Sequence, residues 1–232
     1  MRIGGAILLL LAGAVAPVAT ASQTPREAAD ARYVMRDYAK CAVKREHDLA
    51  RAFVLMPTDK RLTDKDYARL ADGDCLGLRG GQLKMRHELF RGALAEELLA
   101  TDFKGPPVID PGKIAPLVWP EPVPPSANDP ATGKPLPADA AASLQTAYER
   151  ALADRYANQI GECVIRIDPA GARAVLGTGV DKPEELEALK TLAPNIGRCV
   201  VKGQTLRFTR TTLRNGIAIA YYRMASAEQV AG

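Results

Sequence analysis

The chain has 232 residues, 47% of them hydrophobic and 25% charged, with 31 Lys/Arg against 27 Asp/Glu and a formal charge of +4. So close a balance gives no argument for nucleic acid as a partner, and the length suits one large domain or two small ones.

Residues 1–21 have the layout of an export signal. Arg2 supplies the positive start, Ile3 to Val18 carry no charge, and Ala19-Thr20-Ala21 offers the small-x-small pattern of a cleavage site before Ser22. The apolar run is short for a membrane anchor and is interrupted by Gly4, Gly5, Gly13 and Pro17. No second hydrophobic span follows, so the mature chain is expected to be soluble, without a transmembrane segment, in the periplasm or secreted. Its formal charge falls to +3 once Arg2 is removed.

Residues 22–103 read as a helical module. Thr24-Pro25-Arg26-Glu27 is a capping box with proline in the first turn. Val34, Tyr38, Cys41, Leu49, Ala52, Phe53 and Met56 recur at helical spacing, which predicts one unbroken amphipathic helix up to Pro57. Thr63 then caps a short helix through Ala71, a turn at Gly73 delivers Cys75, and a last helix runs from about Arg86 to Ala100.

Residues 104–137 hold eleven of the chain's 17 prolines and its only tryptophan, Trp119. Such a stretch runs extended. The apolar cluster around Trp119 favours a strap packed on a module over a docking peptide, because an exposed tryptophan patch is a liability.

Residues 138–232 repeat the plan. A long helix starts near Asp139, with Leu144, Tyr148, Leu152, Ile160, Cys163 and Ile167 on one face, and Asp168-Pro169 interrupts it with a new cap. Asp181, Pro183 and Glu184 start a short third helix. Thr209 caps the last one, with Leu213, Ile217, Ala220, Tyr221 and Met224 inward. Leu83–Met85 and Thr205–Phe208 alternate weakly and suit short extended pieces, but β-branched runs are too few for a sheet. The expected fold class is all-α: two homologous disulfide-stapled helical modules joined by a Pro-rich extended segment.

The homology rests on a constant offset of 122 between Cys41, Ala50-Arg51-Ala52, Asp59-Lys60, Leu70-Ala71 and Cys163, Ala172-Arg173-Ala174, Asp181-Lys182, Leu192-Ala193. Gly-Gln and Arg-x-x-Leu-x-x-Gly then follow Cys75 and Cys199 with two-residue shifts. Four cysteines allow three pairings, and equivalence of the modules selects Cys41–Cys75 with Cys163–Cys199. Four isolated cysteines are unlike the close pairs of zinc sites, and the oxidising compartment suits bridges. Each loop of that size is worth roughly 3–4 kcal/mol on the chain-entropy model.

Signals for chemistry are sparse. His47 and His87 lie outside any metal-binding motif, and His47 falls on a charged helix side as a solvated residue. There is no G-x-S-x-G elbow, C-x-x-C or phosphate-binding glycine loop. Asp72-Gly73-Asp74 with Asp64 and Asp66 fits turn chemistry better than calcium. No catalytic residue, metal ligand or cofactor is assigned.

The basic end is the one asymmetry: Arg207, Arg210 and Arg214 share a helix face at i, i+3 and i+7. With Trp119 they are the candidate contact surface for an anionic envelope surface or an envelope protein. The function expected is an exported helical repeat protein with a binding or structural role in the cell envelope. One alternative is a hydrolase-type enzyme whose inter-module cleft unites Glu46, Asp48 or Glu88 with His47 or His87. The other is an envelope redox or chaperone protein.

Overall fold

Proline in the first turn, side-chain caps and two sharp backbone breaks set the helix boundaries, which we describe from a computed structural model covering residues 25–79, 86–201 and 208–231. Among the described residues there are eight α-helices and no strand. They are α1 (Pro25–Arg45), α2 (His47–Leu55), α3 (Asp64–Leu70), α4 (His87–Asp102), α5 (Ala138–Ile167), α6 (Pro169–Gly177), α7 (Pro183–Cys199) and α8 (Arg210–Ala231). A 3₁₀ turn over Gly73–Arg79 carries Cys75. The predicted extended pieces at 83–85 and 205–207, the signal segment and Arg207 lie outside the described residues.

Most expected caps form. Thr63 accepts from the Asp66 amide at 3.1 Å, Asp168 from the Gly171 amide at 2.7 Å, and Thr209 from the Thr212 amide at 3.1 Å. Asp72 closes its own turn by accepting from the Asp74 amide, and Arg45 bridges both carboxylates. Both bridges are closed in the expected pairing, Cys41–Cys75 tying α1 to the 3₁₀ turn and Cys163–Cys199 tying α5 to α7. Closed bridges fit an oxidising, non-cytoplasmic location. No described helix is long and apolar enough to cross a membrane.

Three sequence expectations are corrected. First, the opening helix is not continuous: Glu46 breaks it at φ −133°, ψ 52°, close to the φ −144°, ψ 74° of Asp168. Glu46 and Asp168 stand 122 positions apart, like Cys41 and Cys163. No proline enforces the first break. Tertiary contacts hold it instead: Arg69 binds Glu46, and Arg91 takes the Phe53 and Met56 carbonyls at the end of α2. The break turns Ala50, Phe53 and Val54 inward and leaves Ala52 exposed. Second, the third helix of the second half is not short; α7 runs 17 residues with Pro194 inside it.

Third, the arginine face of the last helix, expected as a contact surface, is turned inward at Arg214. α8 packs on α5 along one side and α4 along the other, and every residue from Arg214 to Tyr222 is buried. Glycines permit this approach. An added Cβ at Gly161 would meet the Gly216 carbonyl oxygen at 2.3 Å, and one at Gly216 would meet the Ala157 carbonyl oxygen at 2.3 Å. A single continuous core therefore runs through both halves.

The proline-rich segment lies over α5 and α8 as a strap for its first half. Ile109, Ile114 and Trp119 are buried. Arg166 donates to the carbonyls of Pro111, Ile114 and Ala115, and Tyr221 donates to that of Pro107. Glu162 accepts from the Leu117 amide at 2.9 Å and from Trp119 Nε1 at 2.6 Å. One buried carboxylate thus fixes the strap's register.

Candidate functional site

The strap, the α2–α3 loop, the start of α4 and the front half of α5 enclose a cleft of about 730 Å³. Its existence follows from α5 outrunning the core. Leu144, expected inward, is 45% exposed because none of the described helices covers the front of α5, and Ala147 and Ala151 are exposed there and line the cleft. Arg61 and Leu62 of the loop, Tyr67 of α3 and Pro120 to Val123 of the strap also line it.

The floor comes from α4 and α5. Arg91 is 1% exposed and its guanidinium stacks over the Phe53 ring, 4.3 Å from the centroid. Its Nε lies 3.0 Å from Glu88 Oε1. Burial pushes the Glu88 carboxyl above the usual range; Arg91 opposes this and the Asp154 charge reinforces it. Asp154 is itself raised by burial, against the pull of its ion pair with Arg86. His87 stands edge-on to Tyr67 at 4.7 Å, and burial followed by the charges of Arg61 and Arg91 lowers its pKa. Chemically the cleft offers a carboxyl that retains its proton more tightly than usual and an imidazole that gives its proton up more readily than usual.

The residues singled out from sequence divide among several places. His87 and Glu88 meet in the cleft. Glu46, His47 and Asp48 do not join them: His47 bonds Asp48 and, at 2.6 Å, Asp102, which also accepts from Tyr222. The Asp102 contact, then Asp48, raises the His47 pKa. Arg214 is 2% exposed and committed inward, with Glu96 at 2.8 Å, Glu185 at 3.4 Å and the carbonyls of Val175 and Thr178. Arg210 faces Asp181 at 3.3 Å and stays half exposed. Trp119 is buried, with Arg223 stacked on its ring. Cys41, Cys75, Cys163 and Cys199 are all bridged. Among the described residues no three His, Cys, Asp or Glu side chains converge as a metal site.

Arg86, Arg91, Asp154 and Asn158 were missed from sequence. One signal was available: with Arg86 matched to Arg210, the triple His87, Glu88 and Arg91 falls opposite Thr211, Thr212 and Asn215. Charged groups in the first half thus stand opposite neutral ones in the second. No family model, curated protein or solved structure matches the chain.

Proposed function

We propose that this is an exported binding protein of the cell envelope, built from two homologous helical modules, and that it binds a small polar ligand in the cleft between them. The reading takes residues 1–21 as the signal, 22–103 and 138–232 as the modules and 104–137 as their connection. The like cysteine spacings and the matching backbone breaks at Glu46 and Asp168 support duplication. The observation that carries the binding role is the 730 Å³ cleft, into which both halves place charged groups. Arg207, Arg210 and Arg214 anchor that role less well, since Arg214 is spent on Glu96 and Glu185.

The test is native mass spectrometry of protein purified from exporting cells. Wild type is expected to carry a retained small-molecule mass. Ala151→Phe, which fills the cleft from the exposed wall of α5, is expected to lose it while keeping its melting temperature. Equal retention in both, or none in either, contradicts the reading. A hydrolytic role draws support from Glu88, held protonated more tightly than usual beside Asp154 and His87. It requires the retained molecule to leave chemically changed, whereas a binding protein releases it intact.

A further inference from the structure

The cleft has a closed counterpart. At the offset of 122 positions, the ends of α1 and α5 (Arg45, Ile167) and both ends of α2 and α6 (His47 and Leu55, Pro169 and Gly177) fall opposite one another. The cleft takes its walls from the α2–α3 loop, the start of α4 and α5. The matching elements of the other half, the α6–α7 turn and the start of α8, meet α1 around a void of only about 20 Å³. Arg32, Val180 and Thr211 line that void, and the residues opposite them, Asp154, Thr58 and His87, line the cleft. One arrangement of elements thus occurs twice, once shut and once open.

Ion pairs shut the second copy. Arg32 reaches from α1 to Asp181 at 2.8 Å and to Glu185 at 2.5 Å, and Arg210 adds a second cation to Asp181 at 3.3 Å. The turn is shaped for this: Asp181 sits at φ 62°, its amide donates to Glu185 at 3.0 Å, and its side chain is 7% exposed. In the open copy Asp59 keeps the position of Asp181, but Asp154 stands where Arg32 stands. Arg86, opposite Arg210, is bonded to Asp154 rather than to the loop, and Thr63, opposite Glu185, caps α3. Asp59 is left with its neighbour Lys60, at 3.8 Å, as its one ion pair among the described residues. Two carboxylates cannot make the bond that a carboxylate and a guanidinium make in the other half.

Resting on the duplication in the reading above, we infer that the α2–α3 loop is a lid without a latch: Asp154, a carboxylate where the second half has a guanidinium, keeps the cleft open, and a cation at that position draws Asp59 and its loop down over it. No residue from Met56 to Thr63 is buried, and a segment with so few buried contacts moves at low free-energy cost. Asp154 is on this account a positioning residue for the lid as well as the partner of Arg86.

The test is limited digestion of the mature protein with a lysine-specific endoproteinase, following the cut after Lys60. The cut after the exposed Lys113 of the strap serves as the reference, and each rate is divided by that of the same variant unfolded in urea. Lys182, opposite Lys60, precedes Pro183 and is not cut, so the signal comes from the first half alone. Asp154→Arg is expected to slow the Lys60 cut at least about threefold, the effect of one partly exposed ion pair on the open population. Adding Asp59→Asn to it is expected to restore the rate of Asp59→Asn alone. Because Asp154→Arg also strips Arg86 of its carboxylate, the pair is made in the reverse sense as well. Asp59→Arg, a change at an exposed loop residue, is expected to slow the cut relative to Asp59→Asn by drawing the loop to the native Asp154. Cuts no slower in Asp154→Arg than in wild type and no slower in Asp59→Arg than in Asp59→Asn overturn the inference. So does protection by Asp154→Arg that persists when Asp59 is Asn. No ligand enters the measurement: a latched lid in a protein that retains no small molecule leaves this inference standing and overturns only the binding role.

Discussion

Gly216→Ala is expected to lower the unfolding free energy by about 3 kcal/mol, at the upper end for overpacking, and the melting temperature by about 10 °C. The added methyl would stand 2.3 Å from the Ala157 carbonyl oxygen, a backbone atom that cannot swing aside. Gly161→Ala makes the reciprocal clash with Gly216 and is expected to cost a similar amount. Because α8 is wedged between α5 and α4, separating one pair of helices strains the other. Gly197→Ala, in α7 with nothing within 4 Å of the new methyl, is expected to stabilise by about 0.5–1 kcal/mol through helix propensity. Thermal and urea unfolding of the three variants reads the contrast. Equal effects at all three would show that helix crossing is not what these glycines serve.

Arg214→Met is expected to cost about 3–5 kcal/mol at neutral pH, the usual penalty for removing one partner of a buried ion pair. Methionine retains the apolar stem but leaves Glu96 facing no cation at 2.8 Å, and leaves the fully buried Glu185 with Arg32 alone. Arg32 and Arg214 together hold Glu185 below its ordinary pKa despite the opposing effect of burial. A depressed carboxylate contributes stability that is present above its unfolded pKa and is lost as pH falls through the folded one. The deficit of Arg214→Met relative to wild type is therefore greatest near neutrality and narrows in acid. Urea midpoints across the acid range check this, and a deficit independent of pH would contradict it.

Local signals in the sequence carried much of the helix plan. Pro25, Thr63, Asp168-Pro169, Pro183 and Thr209 each mark a helix start through backbone chemistry that acts within a few residues. The cysteine pairing was legible for a different reason, since matched spacing selects one of three connectivities. The break at Glu46 was not legible because its causes, Arg69 and Arg91, arrive from 23 and 45 positions away. Helical spacing placed Arg210 and Arg214 on one face but said nothing of what that face meets. The run Asn215 to Tyr222, uncharged and dense in small and apolar residues, was the better guide: a helix covered on all sides is buried. The cleft itself has no sequence signature. It is what remains where the front of α5 projects past its neighbours, and its floor joins Glu88 of α4 to Asp154 and Asn158 of α5 across more than sixty positions.

A crystal structure of the protein as purified from exporting cells, with no ligand added, tests the role of that cleft most directly. Non-protein density is expected in the cleft, against Ala147 and Ala151 of α5. A cleft occupied by ordered water alone, or closed by the chain's own residues, would contradict it.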